Sequence, residues 1–201
     1  MSSDRQHCPR CTRPKSHCVC AFIPHMDSRT RILILQHSSE VKHALNTARL
    51  AALGLSNATL LVGEVFEQLP AVLAQTQYQA CLLFPGDTAL PLIAYAEQAC
   101  AQPLLLIVPD GTWRKAHKIL HKNPLLATLP RVALPDGLRS RYRLRKAPMD
   151  GAVSTLEAIV HALNQLEAPH NFDALLAPFE KLIDDQITAM GEEVFSRNYS
   201  K

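Results

Sequence analysis

Leu104-Leu-Leu-Ile-Val-Pro-Asp110-Gly-Thr-Trp113 is the stretch on which the reading of this chain turns. Leu104 to Val108 is a strand with no polar face, and strands apolar on both faces belong to a parallel sheet covered on both sides. Pro109 to Trp113 closes that strand and opens a basic helical pattern, Arg114 to Lys122. In parallel sheets ligands collect at the carboxyl ends of strands, where glycine admits close backbone approach and a helix start offers free N–H groups. The turn is therefore where a site is expected. The plainer alternative is a turn at Asp110-Gly111, with Thr112 as helix cap and Trp113 as a core anchor.

Working outward, Arg31 to Gln36, Ala58 to Val62, Ala80 to Phe84 and Arg131 to Leu134 read as further strands. Val41 to Leu53 brings Ala44, Leu45, Ala48 and Ala52 round at helical spacing before Gly54 offers a stop. Ser154 to Leu166 and Asp173 to Phe195 read as later helices or a helix pair. Alternation of this kind predicts an α/β fold, a mostly parallel sheet with helices on both faces. Ser154-Thr155-Leu156-Glu157 has the form of a capping box, in which the serine hydroxyl and glutamate carboxylate satisfy backbone donors at a helix start.

Composition narrows the class. The 201 residues are 47% hydrophobic and 19% charged, which excludes a disordered or fibrous chain. The longest apolar runs fall far short of the ~20 residues a bilayer span needs, so no membrane segment is expected. The N-terminus lacks the apolar core of a secretory signal, so a reducing, cytoplasmic location is expected. Net charge is only +3, yet Trp113 to Lys146 holds ten Lys or Arg against Asp136 alone, a local +9 that leaves −6 for the remainder. That asymmetry suits a polyanion. In Ser-Arg-Tyr-Arg-Leu-Arg-Lys, Arg139, Arg141, Arg143 and Arg145 alternate and Lys146 follows; an extended chain would set the four guanidinia on one face, as a phosphate backbone requires. Arg114, Lys115, Lys118 and Lys122 add to that patch.

Residues 1–28 are polar and Cys-rich, with no apolar period, and read as a small element ahead of a main domain spanning 29–201. Cys8, Cys11, Cys18 and Cys20 can converge on a tetrahedral Zn²⁺ that supplies the folding energy a core would otherwise provide. Disulfides would need an oxidising compartment. Four thiolates leave no open coordination position, so the expected metal is structural. Cys81 and Cys100 sit in apolar runs and read as small buried hydrophobes.

Asp110-Gly-Thr112-Trp113 resembles the signature of the DTW-domain proteins. The resemblance extends to the Cys-x-x-Cys…Cys-x-Cys start, Leu35-Gln36-His37 with Glu40, Asn46-Thr47-Ala48-Arg49-Leu50, Leu129-Pro130-Arg131, Tyr142 through Pro148, and Ser154-Thr155-Leu156-Glu157-Ala158, in the family's order and over nearly the whole chain. It implies a SPOUT-like knotted domain and an S-adenosylmethionine-dependent tRNA-uridine aminocarboxypropyltransferase, moving the 3-amino-3-carboxypropyl group to N3 of a uridine and leaving methylthioadenosine.

On that resemblance, Asp110, Thr112 and Trp113 form the catalytic turn, with Asp110 as the acceptor of the uracil N3 proton or as an orienter of the cofactor's ammonium. His37, Ser38, Pro109, Asp110, Gly111, Trp113, Leu134, Ser154 and Thr155 are expected to hold the cofactor. Arg114, Lys118, Arg139, Arg141, Arg143, Arg145 and Lys146 are expected to bind tRNA, and a monomer is expected. Two rivals remain: a knotted RNA methyltransferase, told apart by the nucleoside it releases, and a non-catalytic zinc-containing RNA-binding module, which would bind no cofactor.

Overall fold

The computed structural model describes residues 6–43, 45–99, 102–141 and 153–199. Strands β1 (Arg31–Gln36), β2 (Ala58–Val62), β3 (Gln79–Leu83), β4 (Leu90–Pro91), β5 (Leu104–Asp110) and β6 (Arg131–Ala133) form one sheet in the order β2-β1-β5-β3-β6-β4. Every pairing is parallel. The α/β reading holds. β5, the most apolar strand, lies between β1 and β3, where both its faces are covered.

The pleat divides the core in two. Ile32, Ile34, Cys81, Leu106 and Val108 point to one face, against α1 (Thr47–Gly54), α3 (Leu92–Gln98), α5 (Thr155–Leu166) and α6 (Ala177–Met190). Leu33, Leu35, Leu82, Leu105 and Ile107 point to the other, against α2 (Leu69–Leu73) and α4 (Trp113–Lys122). Each such side chain contributes about 1.5–3 kcal/mol on burial. The strands are held in register by both faces at once, which fixes the level at which their carboxyl ends emerge.

Beyond one-residue shifts at the ends of β3, β6 and α5, four features differ from the sequence expectation, each for a local reason. The helix expected from Val41 begins at Thr47, because Asn46 accepts the Arg49 N–H at 3.1 Å as an N-cap, while Ser38–Glu40 forms a separate 3₁₀ turn. β4 is two residues long and too short to leave a period. The C-terminal stretch divides into a 3₁₀ turn at Asp173–Leu176, α6 and α7 (Glu192–Tyr199), with Gly191 between the helices at φ +86°. β5 runs two residues further than expected, so Asp110 belongs to the strand and pairs with Gln36 of β1.

The Cys-rich segment is stapled to this core. Val19, Cys11 and Ile23 are buried in the same cluster as α5 and α6, and Arg49 Nε donates to the Arg10 carbonyl. Among the described residues no helix is long and apolar enough to cross a membrane. Cys100 lies outside the described residues.

Candidate active site

The carboxyl ends of β1 and β5 place two polar side chains inside an otherwise apolar sheet. Asp110 is 8% exposed. Its Oδ2 accepts from Gln36 Nε2 at 2.8 Å, and its Oδ1 accepts from the Thr155 hydroxyl at 2.5 Å. Gln36 Nε2 also donates to Asn46 Oδ1 at 2.9 Å. One carboxylate thus receives a donor from the adjacent strand and another from the first turn of α5. Burial pushes the Asp110 carboxyl above its ordinary range, and the Thr155 and Gln36 hydrogen bonds pull it partly back; the Glu40 charge adds to the rise and His43 opposes it. A buried carboxylate with a raised proton affinity, at the end of a parallel strand, is suited to accept a proton near neutral pH.

The turn after Asp110 needs its glycine. Gly111 has φ +148°, and a Cβ there would lie 3.0 Å from Lys115 Cβ and 3.6 Å from His37 Cβ. The His37 N–H donates to the Asp110 carbonyl at 3.0 Å, so the β1 and β5 ends leave the sheet side by side. Thr112 is the N-cap residue of α4, but its hydroxyl makes no capping bond, and its side chain is exposed. Trp113 is no core anchor. It is 47% exposed, its ring standing edge-on to Phe84 at 5.6 Å, with His117 and Arg131 on the same phenyl group at 5.0 Å and 5.9 Å. The result is a half-open aromatic shelf on the α4 side of the sheet, three residues along the chain from the carboxylate, which is held from the α5 side by Thr155.

Ser154 caps α5 as its sequence predicts: Glu157 N–H donates to Ser154 Oγ at 3.3 Å, and Ser154 N–H to Glu157 Oε2 at 2.7 Å. Glu157 does more than complete the cap. It is 2% exposed and also accepts from the Ser140 hydroxyl and from the Arg141 N–H at 2.6 Å, docking the chain that leaves β6 onto the start of α5. Leu134, on that chain, packs on the core. Pro109 is half-buried in β5, whereas Ser38 is exposed in its 3₁₀ turn.

A second polar centre escaped sequence reasoning. Glu64, in the loop after β2, lies 2.9 Å from His37 Nε2, 2.7 Å from Lys118 Nζ and 2.5 Å from Lys122 Nζ. Hydrogen bonds from the two lysines hold its carboxyl down at about 2. Lys115 pairs with Glu40 at 2.6 Å. Three α4 cations are thus partnered: Lys118 and Lys122 from the surface to a half-buried Glu64, and Lys115 in a partly buried pair with Glu40. Arg114 and Arg139 are exposed, but Arg141 turns to Glu180 at 3.0 Å and Asp173 at 3.3 Å. Arg143, Arg145 and Lys146, like the rest of Tyr142 to Pro148, lie outside the described residues.

The four cysteines converge. Their sulfurs lie within 4.8 Å of one another, with Cys8 and Cys20 at 3.6 Å and Cys11 and Cys18 at 3.7 Å. Tetrahedral Zn–S bonds of about 2.3 Å require S···S edges of about 3.8 Å, so these donors fit a closed zinc site. Backbone N–H groups of Cys11 and Arg10 draw the Cys8 thiol down to about 6, while burial pushes Cys20 up to about 12. A bound cation would be required to bring all four to thiolate.

A model of the DTW domain matches residues 5–187. The chain belongs to the DTW-domain family. Among curated proteins, it is 30% identical to tRNA-uridine aminocarboxypropyltransferase 2 of Mus musculus, an alignment spanning 97% of this chain and 68% of that protein. It is 33% identical to tRNA-uridine aminocarboxypropyltransferase 2 of Drosophila melanogaster over 91% of this chain and 76% of that one. It is also 29% identical to tRNA-uridine aminocarboxypropyltransferase A of Arabidopsis thaliana, over 81% and 73%. No solved structure matches the chain. The turn that joins the buried Asp110 carboxylate to the exposed Trp113 indole lies within the matched residues.

Proposed function

We propose that this chain is an enzyme that moves the 3-amino-3-carboxypropyl group of S-adenosylmethionine to N3 of a uridine in tRNA, with release of methylthioadenosine. The names of its curated relatives support the reaction class. The observation that carries it here is the buried, doubly hydrogen-bonded Asp110 at the carboxyl end of β5, on the turn that leads to the half-exposed Trp113. The residues present fit such a cofactor: the exposed Trp113 ring suits a flat base, and the Asp110 carboxylate suits a group that carries a sulfonium and an ammonium, whereas Glu40 and Glu64 are already matched by lysines.

When bound, that cofactor supplies a carbon already activated by its positively charged sulfur. The protein must hold the nucleophile. Uracil N3 carries a proton at neutral pH, and Asp110 takes it; Gln36 and Thr155 fix the direction of the carboxylate's lone pairs. Residues Pro109 to Trp113 wall the cofactor, with Gly111 allowing the close approach of backbone. His37 and Ser38, Leu134, and the α5 start at Ser154 and Thr155 complete the wall. Arg114, Lys118, Arg139 and the basic residues Arg143, Arg145 and Lys146 hold phosphates, while Arg141 is taken by Glu180 and Asp173. The Cys8, Cys11, Cys18 and Cys20 site takes zinc, closed and structural.

The test is incubation with labelled S-adenosylmethionine and total tRNA, followed by mass measurement of the nucleosides. Acp-uridine with methylthioadenosine supports the proposal. A methylated nucleoside with S-adenosylhomocysteine would assign the chain to the methyltransferase reading, and no cofactor binding to the RNA-binding module.

A further inference from the structure

Gln36 is 1% exposed, and its side-chain amide lies inside the protein with Nε2 on Asp110 Oδ2 at 2.8 Å. The two ends of an amide are alike in size, so packing alone leaves it free to turn over. Turned over, it would set a carbonyl oxygen against the carboxylate in place of a donor. Asn46 decides the orientation. Its Oδ1 accepts the Arg49 N–H at 3.1 Å, and its Nδ2 donates to the Val41 carbonyl at 3.3 Å. A backbone N–H can only donate and a backbone carbonyl can only accept, so the Asn46 amide is pinned at both ends. It then meets Gln36 reciprocally: Gln36 Nε2 donates to Asn46 Oδ1 at 2.9 Å, and Asn46 Nδ2 donates to Gln36 Oε1 at 3.4 Å. One hydrogen of Gln36 Nε2 goes to Asn46 and the other to Asp110.

We infer that Asn46 is a positioning residue for the reaction: by accepting one hydrogen of Gln36 and donating to its carbonyl, it obliges Gln36 to offer N–H, and not C=O, to Asp110. The inference rests on the proposed role of Asp110 as proton acceptor and names the residue that sets the donor on its β1 side. The polarity of the hydrogen-bond chain is fixed by backbone groups at the start of α1 and is delivered at the end of β5. A capping role alone requires none of this, since asparagine, aspartate and serine cap a helix about equally well. The groups that bear on Asp110 besides the neutral Gln36 and Thr155 are Glu40, which is paired with Lys115, and His43. Substitution of Asn46 by serine leaves all of these in place.

The effect can be read on Asp110 itself, by NMR titration of its carboxyl carbon in the protein without cofactor. Asn46→Ser keeps a capping oxygen but is too short to reach Gln36, so Tm is expected to stay near that of wild type. The Asp110 titration is expected to move upward by about one pH unit, and the acidic limb of kcat/KM for total tRNA with it. Gln36→Met should move the titration at least as far, and adding Asn46→Ser to Gln36→Met should move it no further. In wild-type protein the side-chain amide nitrogen signal of Gln36 should follow the Asp110 titration, a measurement that needs no variant to fold. An Asp110 titration unchanged in the serine variant, shifts that add in the double variant, or a Gln36 signal that ignores Asp110 overturns the inference. If the titrations shift as expected while no uridine is modified, the positioning stands and the proposed reaction falls.

Discussion

The Thr155 hydroxyl reaches across 45 residues of sequence to donate to Asp110 Oδ1, while Gln36 holds Oδ2. Three separate elements thereby aim one carboxylate. The donors favour its ionised form, and the surrounding burial opposes it.

Removing the Thr155 donor should move the pH profile. A hydrogen bond to a charged group contributes about 1.5–3 kcal/mol, so Thr155→Val is expected to shift the acidic limb of kcat/KM about 1–2 pH units upward. Thr155→Ser should restore it. A limb unchanged in the valine variant would remove Asp110 as the proton acceptor.

Asp110→Asn should separate activity from stability. The folded state raises the Asp110 proton affinity, so native protein binds more protons than unfolded chain above pH 3.8, and stability falls as pH rises through the raised value. The ionised carboxylate therefore costs stability at neutral pH. The asparagine variant, with its amide N–H₂ turned to a Thr155 oxygen that can accept, is expected to lose transfer and yet melt at pH 7 no lower than wild type. Melting curves from pH 4 to 8 check both the sign and the crossing.

Glu64 carries the opposite sign. Its carboxyl is held at about 2 against an ordinary 4.5 by Lys118 and Lys122, so its contribution is complete above pH 4.5 and is lost as pH falls toward 2. Glu64→Gln should melt slightly lower than wild type at pH 6, with the gap closing between pH 4.5 and 2. A constant gap would show that the ion pairs contribute nothing.

The Cys site should prove structural. One zinc per chain is expected by elemental analysis, and Cys11→Ser, or removal of metal by a strong chelator, is expected to lower Tm by about 6–12 °C, as a loss of about 3 kcal/mol does in a chain of this size. A protein that keeps its Tm and its tRNA affinity after stoichiometric metal removal would contradict this assignment.

Much of the fold was legible because β1, β2, β3 and β5 are apolar runs of five residues or more, and the pleat leaves no doubt about a buried sheet. Asp110 was legible because it stands in a glycine turn at the carboxyl end of the most apolar strand, where ligands collect, and in the stretch that resembles the DTW signature. Gln36 and Glu64 were not singled out, since a polar residue at a strand end or in a loop looks like ordinary solvent exposure until the partner 74 or 54 residues away is in view. The spacing of Arg139 and Arg141 suggested a comb of free guanidinia, but a two-residue period carries no information on the acids of α6 and the turn before it, which occupy Arg141. Glu157 read as a simple cap because its second set of donors, Ser140 and Arg141, comes from the far side of β6.

Because the Asp110 carboxylate is completed only by β1, β5 and α5 together, no fragment of this chain can acquire the site piecemeal. Turnover should therefore appear in refolding only once β1, β5 and α5 are all in place, so that the first modified nucleoside reports their joint assembly.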